Sequence, residues 1–330
     1  MRIGHLRISR FKSIRQLDLA CRKVNVFIGP PDSGKTNVLE ALNFLSRLAW
    51  RQPIDGSLRL TQDPGLDALF FEQFFDQPLS IEVDHIKVTA QLSGAERRMK
   101  IRLLVGENDN GGGEIEFGQP LQTAIALLQP VRYYAYAGAE RWQYTTNPLQ
   151  DGTIIATPSG ENLTYVARHT KAVYDFLKEV VSTLEWKVRF DQVSKRFRLS
   201  EVRDDDIVDY NIELLSDSIK RFFFFGSILL TSTNAVLVFD EPDVQAFPPY
   251  PKELGRLIAE DQQNQFFLTT HNPYILSELV EKTPTQDLAI FVCRRRAEHG
   301  TELHMLDDSQ VKQIIDWGSD TFFNLTQFDW

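Results

Sequence analysis

The chain has 330 residues, 42% of them hydrophobic and 25% charged, with a formal net charge of −9. That is enough for one large or two modest domains with a real core, and the acidic balance disfavours non-specific binding along a polyanion while leaving room for a local basic patch. No run approaches the roughly 20 apolar residues of a membrane span, the N-terminus alternates charged and apolar residues instead of showing a signal-peptide core, and Cys21 and Cys293 lie far apart without a metal-ligand spacing. The expectation is a cytoplasmic protein with no membrane contact and no disulfide framework.

Residues 1 to 50 read as strand, strand, loop and helix. Val24 to Ile28 is apolar and partly β-branched, and Val38, Leu39, Leu42 and Leu45 recur at helical spacing. Between them runs Gly29-Pro30-Pro31-Asp32-Ser33-Gly34-Lys35-Thr36-Asn37, which fills every fixed place of the phosphate-binding pattern G-x-x-x-x-G-K-[ST]. A loop entering a helix N-terminus aims unpaired amides and the positive end of the helix dipole at one point, which suits an anion. Lys35 is then placed for the β- and γ-phosphates of ATP, and the Thr36 hydroxyl for Mg²⁺. Pro31 removes one amide donor, and Asp32 stands where glycine would be comfortable, although Asp tolerates positive φ better than most residues.

Residues 51 to 210 are more varied. Strands are expected at 79 to 92 and 99 to 106, a hairpin turn at "NDNGGG", a strand at 131 to 136, helices near 161 to 184 and strand pairs from 186 to 202. Arg97, Arg98, Lys100 and Arg102, and the charged stretch at 195 to 206, could face a nucleic acid; solvated strand faces of mixed charge fit them better. Residues 211 to 330 return to the helix and strand alternation of a parallel sheet.

A phosphate loop alone does not decide the chemistry; the deciding residues lie at 235 to 272. "AVLVFDEPD" is a buried-strand pattern that ends in Asp240 and Glu241, and the carboxyl ends of parallel strands are where such sheets bind ligands. Asp240 is placed to hold Mg²⁺ and Glu241 to polarise an attacking water. A second apolar strand, "QFFLTTHNPYIL", brings His271 to the same edge.

On these motifs the chain resembles the ABC-type ATPases of the SMC, RecF and OLD-like branch, which share the phosphate loop, a "DEP" acidic strand end and a histidine near "TTHNP". The resemblance covers the first 50 residues and roughly 210 to 325, and the middle loosely. It implies an α/β P-loop NTPase of ABC type: a mixed, largely parallel sheet with flanking helices, plus an antiparallel β lobe and a helical insertion. Residues 1–50 and 211–330 would form the nucleotide-binding core and 51–210 the lobe and insertion of one domain. "ISRFKSI" matches the opening strand, after which the family places residues beside the adenine, so Phe11 and Lys12 become candidates for that contact. Leu215, Ser216, Asp217 and Ser218 align with the L-S-G-G signature, making Ser216 the hydroxyl offered in trans to a second subunit's γ-phosphate. Ser218 departs from the pattern, because a glycine there lets backbone approach phosphate. "GENL" at 160 to 163 is shared without an assigned role, and Gln73, Gln129 and Gln143 compete for the position of the Q-loop glutamine.

No heptad array interrupts the chain, so a coiled-coil SMC protein is not expected, and no acidic nuclease cluster follows the last motif. The expectation is an ATP-driven homodimer, closed around two nucleotides, that switches a separate effector chain, a nuclease or toxin, or DNA, in phage defence or DNA maintenance. A non-hydrolysing scaffold is the alternative, favoured by Pro31, Asp32 and Ser218. A small-molecule kinase would not need the Asp240, Glu241 and His271 set, and a transporter subunit would need a cleaner signature.

Overall fold

A computed structural model describes residues 1–54, 65–93, 98–116, 118–122, 125–146, 152–203 and 206–328. In chain order, β1 (His5–Phe11) and β2 (Ile14–Ala20) form a hairpin, and β3 (Val24–Ile28) leads through the phosphate loop into α1 (Lys35–Ala49). Four strands follow, β4 (Leu79–Val83), β5 (Ile86–Ser93), β6 (Arg98–Val105) and β7 (Asn108–Glu116), and then β8 (Val131–Tyr134). The insertion holds α2 (Leu163–His169), α3 (Lys171–Ser182), β9 (Lys187–Asp191), β10 (Arg196–Arg203) and β11 (Asp206–Asn211). The last part runs α4 (Asp217–Thr231), β12 (Val236–Phe239), α5 (Pro249–Glu260), β13 (Gln265–Thr269), α6 (Pro273–Lys282), β14 (Leu288–Arg296), β15 (Gly300–Met305), α7 (Asp308–Trp317) and α8 (Thr321–Asn324).

One sheet of 12 strands takes the order β7-β6-β5-β4-β1-β2-β15-β14-β3-β13-β12-β8. From β14 to β8 every neighbour is parallel, and from β14 to β7 every neighbour is antiparallel. β3 therefore lies in the middle of the parallel half, covered on both faces, which is why its five residues are all buried and can be apolar without alternation. Its single polar residue, Asn25, is fully buried and satisfied, its amide donating to the carbonyls of Arg22 and Phe266 at 2.7 and 3.0 Å. α1 packs on one face with Phe27, Phe267 and Phe291, and α4, α5 and α6 cover the other. Phe222 to Phe225 of α4 are all buried, as expected of a core helix, against Phe176, Trp142, Tyr134 and Phe239.

Several expectations change once pairing is known. "NDNGGG" is not a turn: it lies inside β7, and the chain reverses at Gly106–Glu107. A Cβ on Gly112 would sit 2.0 Å from the Ile101 carbonyl oxygen, and the ladder shifts register between Arg102 and Leu104, so these glycines serve a bulge. The stretch 79 to 92 is two strands, folded back at Asp84 with φ 52°. Two strands, not one, precede β3, because Lys12 turns the chain at φ 50° without glycine, proline or asparagine to mark it. β8, in the middle block, is the edge of the parallel half. Arg98 and Lys100 lie opposite Glu116 and Glu114 on the exposed face of β6, a mixed-charge surface; Arg97 and residues 204–205 lie outside the described residues. Among the described residues no helix is long and apolar enough to cross a membrane.

Candidate functional site

The parallel strands end at one edge, and there β3 hands over to α1. Gly34 occupies the N-cap of α1 with φ 90° and no side chain caps the helix, so the leading amides are left to the loop and to whatever it holds. Both motif glycines are required by close approach: a Cβ on Gly29, φ 149°, would lie 2.5 Å from the Cys293 carbonyl oxygen, and one on Gly34 would lie 2.0 Å from Thr301 Oγ1. Asp32 takes the left-handed region at φ 57°, as its residue type allows. Gly34→Ala is expected to cost roughly 1–3 kcal/mol from the strained backbone alone and to widen the loop away from Thr301. Urea unfolding together with ATP titration checks both effects.

Lys35 is 4% exposed, and its ammonium donates to the carbonyls of Gly29 and Pro30 at 2.9 and 2.7 Å and to Ser33 Oγ at 3.3 Å. Burial pulls this ammonium below its ordinary value, while Glu241, Asp240 and Asp32 oppose the shift. An arriving phosphate would favour the charged form further.

Across the cleft, β12 delivers Asp240 and Glu241. The Thr269 hydroxyl, from the end of β13, donates to Asp240 Oδ1 at 2.8 Å and accepts from the Glu241 amide at 3.0 Å, so one side chain sets both acids. Tyr133 OH, from β8, donates to Asp240 Oδ2 at 3.3 Å. Glu241 sits at φ 46°, a conformation that favours glycine, which turns the chain sharply out of the strand. His271 Nε2 lies 3.6 Å from Glu241 Oε1. Burial and then the charge of Lys35 lower the His271 pKa from 6.5, so the ring is neutral at neutral pH and its approach to Glu241 is a contact, not a salt bridge. Behind them Asp243 is buried, accepts from Thr270 Oγ1 at 2.7 Å, and has its carboxyl pushed up to about 6 by burial.

These parts enclose a cleft of about 440 Å³: residues 31–37 on one side, Glu241 and His271 on another, Ser13 and Arg295 on the third. Pro31, Asp32, Ser33, Gly34, Lys35, Thr36 and Asn37 all line it, while Gly29 and Pro30 border an adjoining space beside His271. Thr36 lines the cleft, and Asp240 stands next to Glu241 at the end of β12 without lining it; a hydroxyl and a carboxylate are the kind of hard oxygen donor that Mg²⁺ takes.

Phe11 and Lys12 require correction. Phe11 is fully buried, its ring centroid 6.4 Å from that of Phe44 in α1, and Lys12 turns inward to Glu40 of α1 at 2.5 Å. Neither lines the cleft; Ser13, the next residue, does. Gln73, Gln129 and Gln143 do not line it either. The "GENL" segment is architectural: the Asn162 side chain bonds the backbone of Ala156 and Ile154, and Gly160 lies against Phe224. Ser216 is the N-cap of α4, exposed, with its hydroxyl engaged in no cap. Ser218 Oγ accepts from the Phe247 amide at 2.9 Å and contacts the Gln245 carbonyl at 3.2 Å, tying α4 to the segment that follows Asp240 and Glu241. Thr269, Tyr133, Ser13 and Arg295 were not singled out from the sequence, although Thr269 stood inside "TTH" and Ser13 inside "ISRFKSI".

Residues 158–277 match the family profile described as "AAA domain, putative AbiEii toxin, Type IV TA system". No curated protein matches the sequence significantly. Among solved structures, an SmcHead bound to the C-winged helix domain of ScpA is similar at 15% identity and TM-score 0.58, covering 94% of this chain and 99% of its own. The Smc head domain with an extended coiled coil, bound to the C-terminal domain of ScpA from Pyrococcus furiosus, is similar at 12% identity and TM-score 0.53, covering 95% and 98%. At such identities the likeness is one of fold: this chain is an α/β protein with the P-loop NTPase fold of an SMC head, carrying an additional three-stranded antiparallel sheet in the order β11-β10-β9.

Proposed function

We propose that the chain binds and hydrolyses ATP with Mg²⁺ as an ABC-type ATPase of the SMC-like and OLD-like kind, and that two copies close head to tail around two nucleotides. The observation that carries this is the single cleft in which the Lys35 loop faces Glu241 and His271. The loop amides and Lys35 hold the β- and γ-phosphates, with Mg²⁺ supplying charge neutralisation between them when bound. Glu241, fixed through its amide by Thr269, accepts a proton from the attacking water. Neutral His271 is placed to hydrogen-bond a γ-phosphate oxygen.

Ser216 is not in its own subunit's cleft, so it is satisfied by a partner placed head to tail. Leu214 and Phe247, 65% and 63% exposed beside this helix start, fit the same interface. A two-fold pair of such contacts is self-complementary and stops at a dimer. The closure would switch a separate effector chain, a nuclease or toxin, or engage DNA, in the cytoplasm. The toxin–antitoxin description of the matching family profile favours phage defence over DNA maintenance.

The test is light scattering on Glu241→Gln protein. Saturating ATP shifts it toward a dimer and Ser216→Arg prevents the shift; a chain that stays monomeric, or a Ser216→Arg variant that dimerises normally, would refute the sandwich. A non-hydrolysing nucleotide-gated scaffold is the second reading, and Pro31 favours it, because the loop offers one amide fewer to the phosphates.

A further inference from the structure

The cleft has a direction. Lys35, Glu241 and His271 mark the γ-phosphate end, and the helix amides that follow Lys35 lead away from it toward Asn37, where a nucleotide's α-phosphate and ribose would lie. Asn37 donates its side-chain amide to Ser13 Oγ, which is 2.6 Å from Thr301 Oγ1. Thr301 pairs with Arg295 across β14 and β15. The base of a nucleotide seated in this loop therefore extends toward Ser13 and Arg295.

β14 runs on past its last pairing with β3, Val292 to Ile28, so residues 293–296 stand as a wall beside the loop. The three arginines at its end are used differently. Arg294 donates to the Phe328 carbonyl at 3.0 Å and Arg296 is paired with Glu302 at 2.7 Å. Arg295 is exposed and lines the cleft, and its guanidinium has no hydrogen bond, ion pair or ring contact among the described residues. A cation left without a partner on the wall of an anion-binding cleft is available to a ligand.

Building on the ATP-site reading, we propose that Arg295 is the residue that clamps the base and ribose end of the nucleotide, the part that Phe11 and Lys12 are turned away from. A planar guanidinium stacks on the face of a purine and offers donors to the ribose and to ring acceptors, which an ammonium does not reproduce. Recognition of the base thus comes from β14, the strand following α6, which lies beside β3 on the same side as β1 with β2 and β15 between them.

Calorimetry on the full chain tests it, with ATP, ADP and inorganic tripolyphosphate, each with Mg²⁺. Arg295→Ala weakens ATP and ADP alike, by about fivefold to thirtyfold for a lost cation–π contact, and leaves tripolyphosphate unchanged; Arg295→Lys does not restore the loss. Because Arg295 is exposed and untied, both variants keep the wild-type melting temperature. Unchanged ATP affinity in Arg295→Ala, or an equal loss for tripolyphosphate, overturns the assignment while the ATP site stands. Absence of ATP binding by the wild type overturns the site reading itself.

Discussion

Glu241→Gln slows ATP turnover by about 10² to 10⁴, the usual worth of a positioned general base, and leaves ATP affinity within a few-fold of wild type. The side chain keeps its size and the backbone amide of residue 241 still donates to Thr269 Oγ1, so the loop after β12 keeps its shape. What is lost is a carboxylate oxygen able to take a proton, 3.6 Å from His271 and across the cleft from Lys35. Single-turnover hydrolysis alongside equilibrium binding separates the two effects. Equal turnover in wild type and variant would assign the base elsewhere or support the non-hydrolysing scaffold.

Lys35→Ala lowers ATP affinity by about a hundredfold or more, because charge-assisted hydrogen bonds contribute roughly 1.5–3 kcal/mol each and the ammonium serves two phosphates. The variant also leaves the carbonyls of Gly29 and Pro30 without their present donor, so the loop of the free protein relaxes as well. A second arm keeps the readings apart: Lys35→Ala loses affinity for tripolyphosphate as strongly as for ATP, which is the opposite of the expectation for Arg295→Ala. Calorimetry reads both, and unchanged ATP affinity would mean that the loop between β3 and α1 is a turn and not a phosphate site.

The motif-borne half of the site was legible in the chain because its geometry is local. A strand, a glycine-bounded loop and a helix start define the candidate phosphate cradle within residues 24–37, and Asp240, Glu241 and His271 each follow a buried apolar strand whose carboxyl end faces the same sheet edge. The base end was not legible. Phe11 and Lys12 are set by the pairing of β1 with β2 and by packing on α1, over which Phe11 is buried against Phe44 and Lys12 meets Glu40. Arg295 stands in "CRRR" with two identical neighbours, and nothing in that run distinguishes the one facing the cleft.

The sequence alone determined the order of elements around the loop, the placing of Lys35, Glu241 and His271 at one sheet edge, and the buried character of α4, since each follows from short-range periodicity, loop stereochemistry and strand order. Only the tertiary structure decided that β8 joins the parallel half, that the glycines of β7 relieve a close approach to Ile101 instead of making a turn, that Thr269 and Tyr133 fix Asp240, and that Arg295 and Ser13 wall the cleft. The β7 approach depends on hairpin register, and the others join segments far apart in the chain, in a strand order set by which apolar faces can be buried together, a property no local window of residues contains.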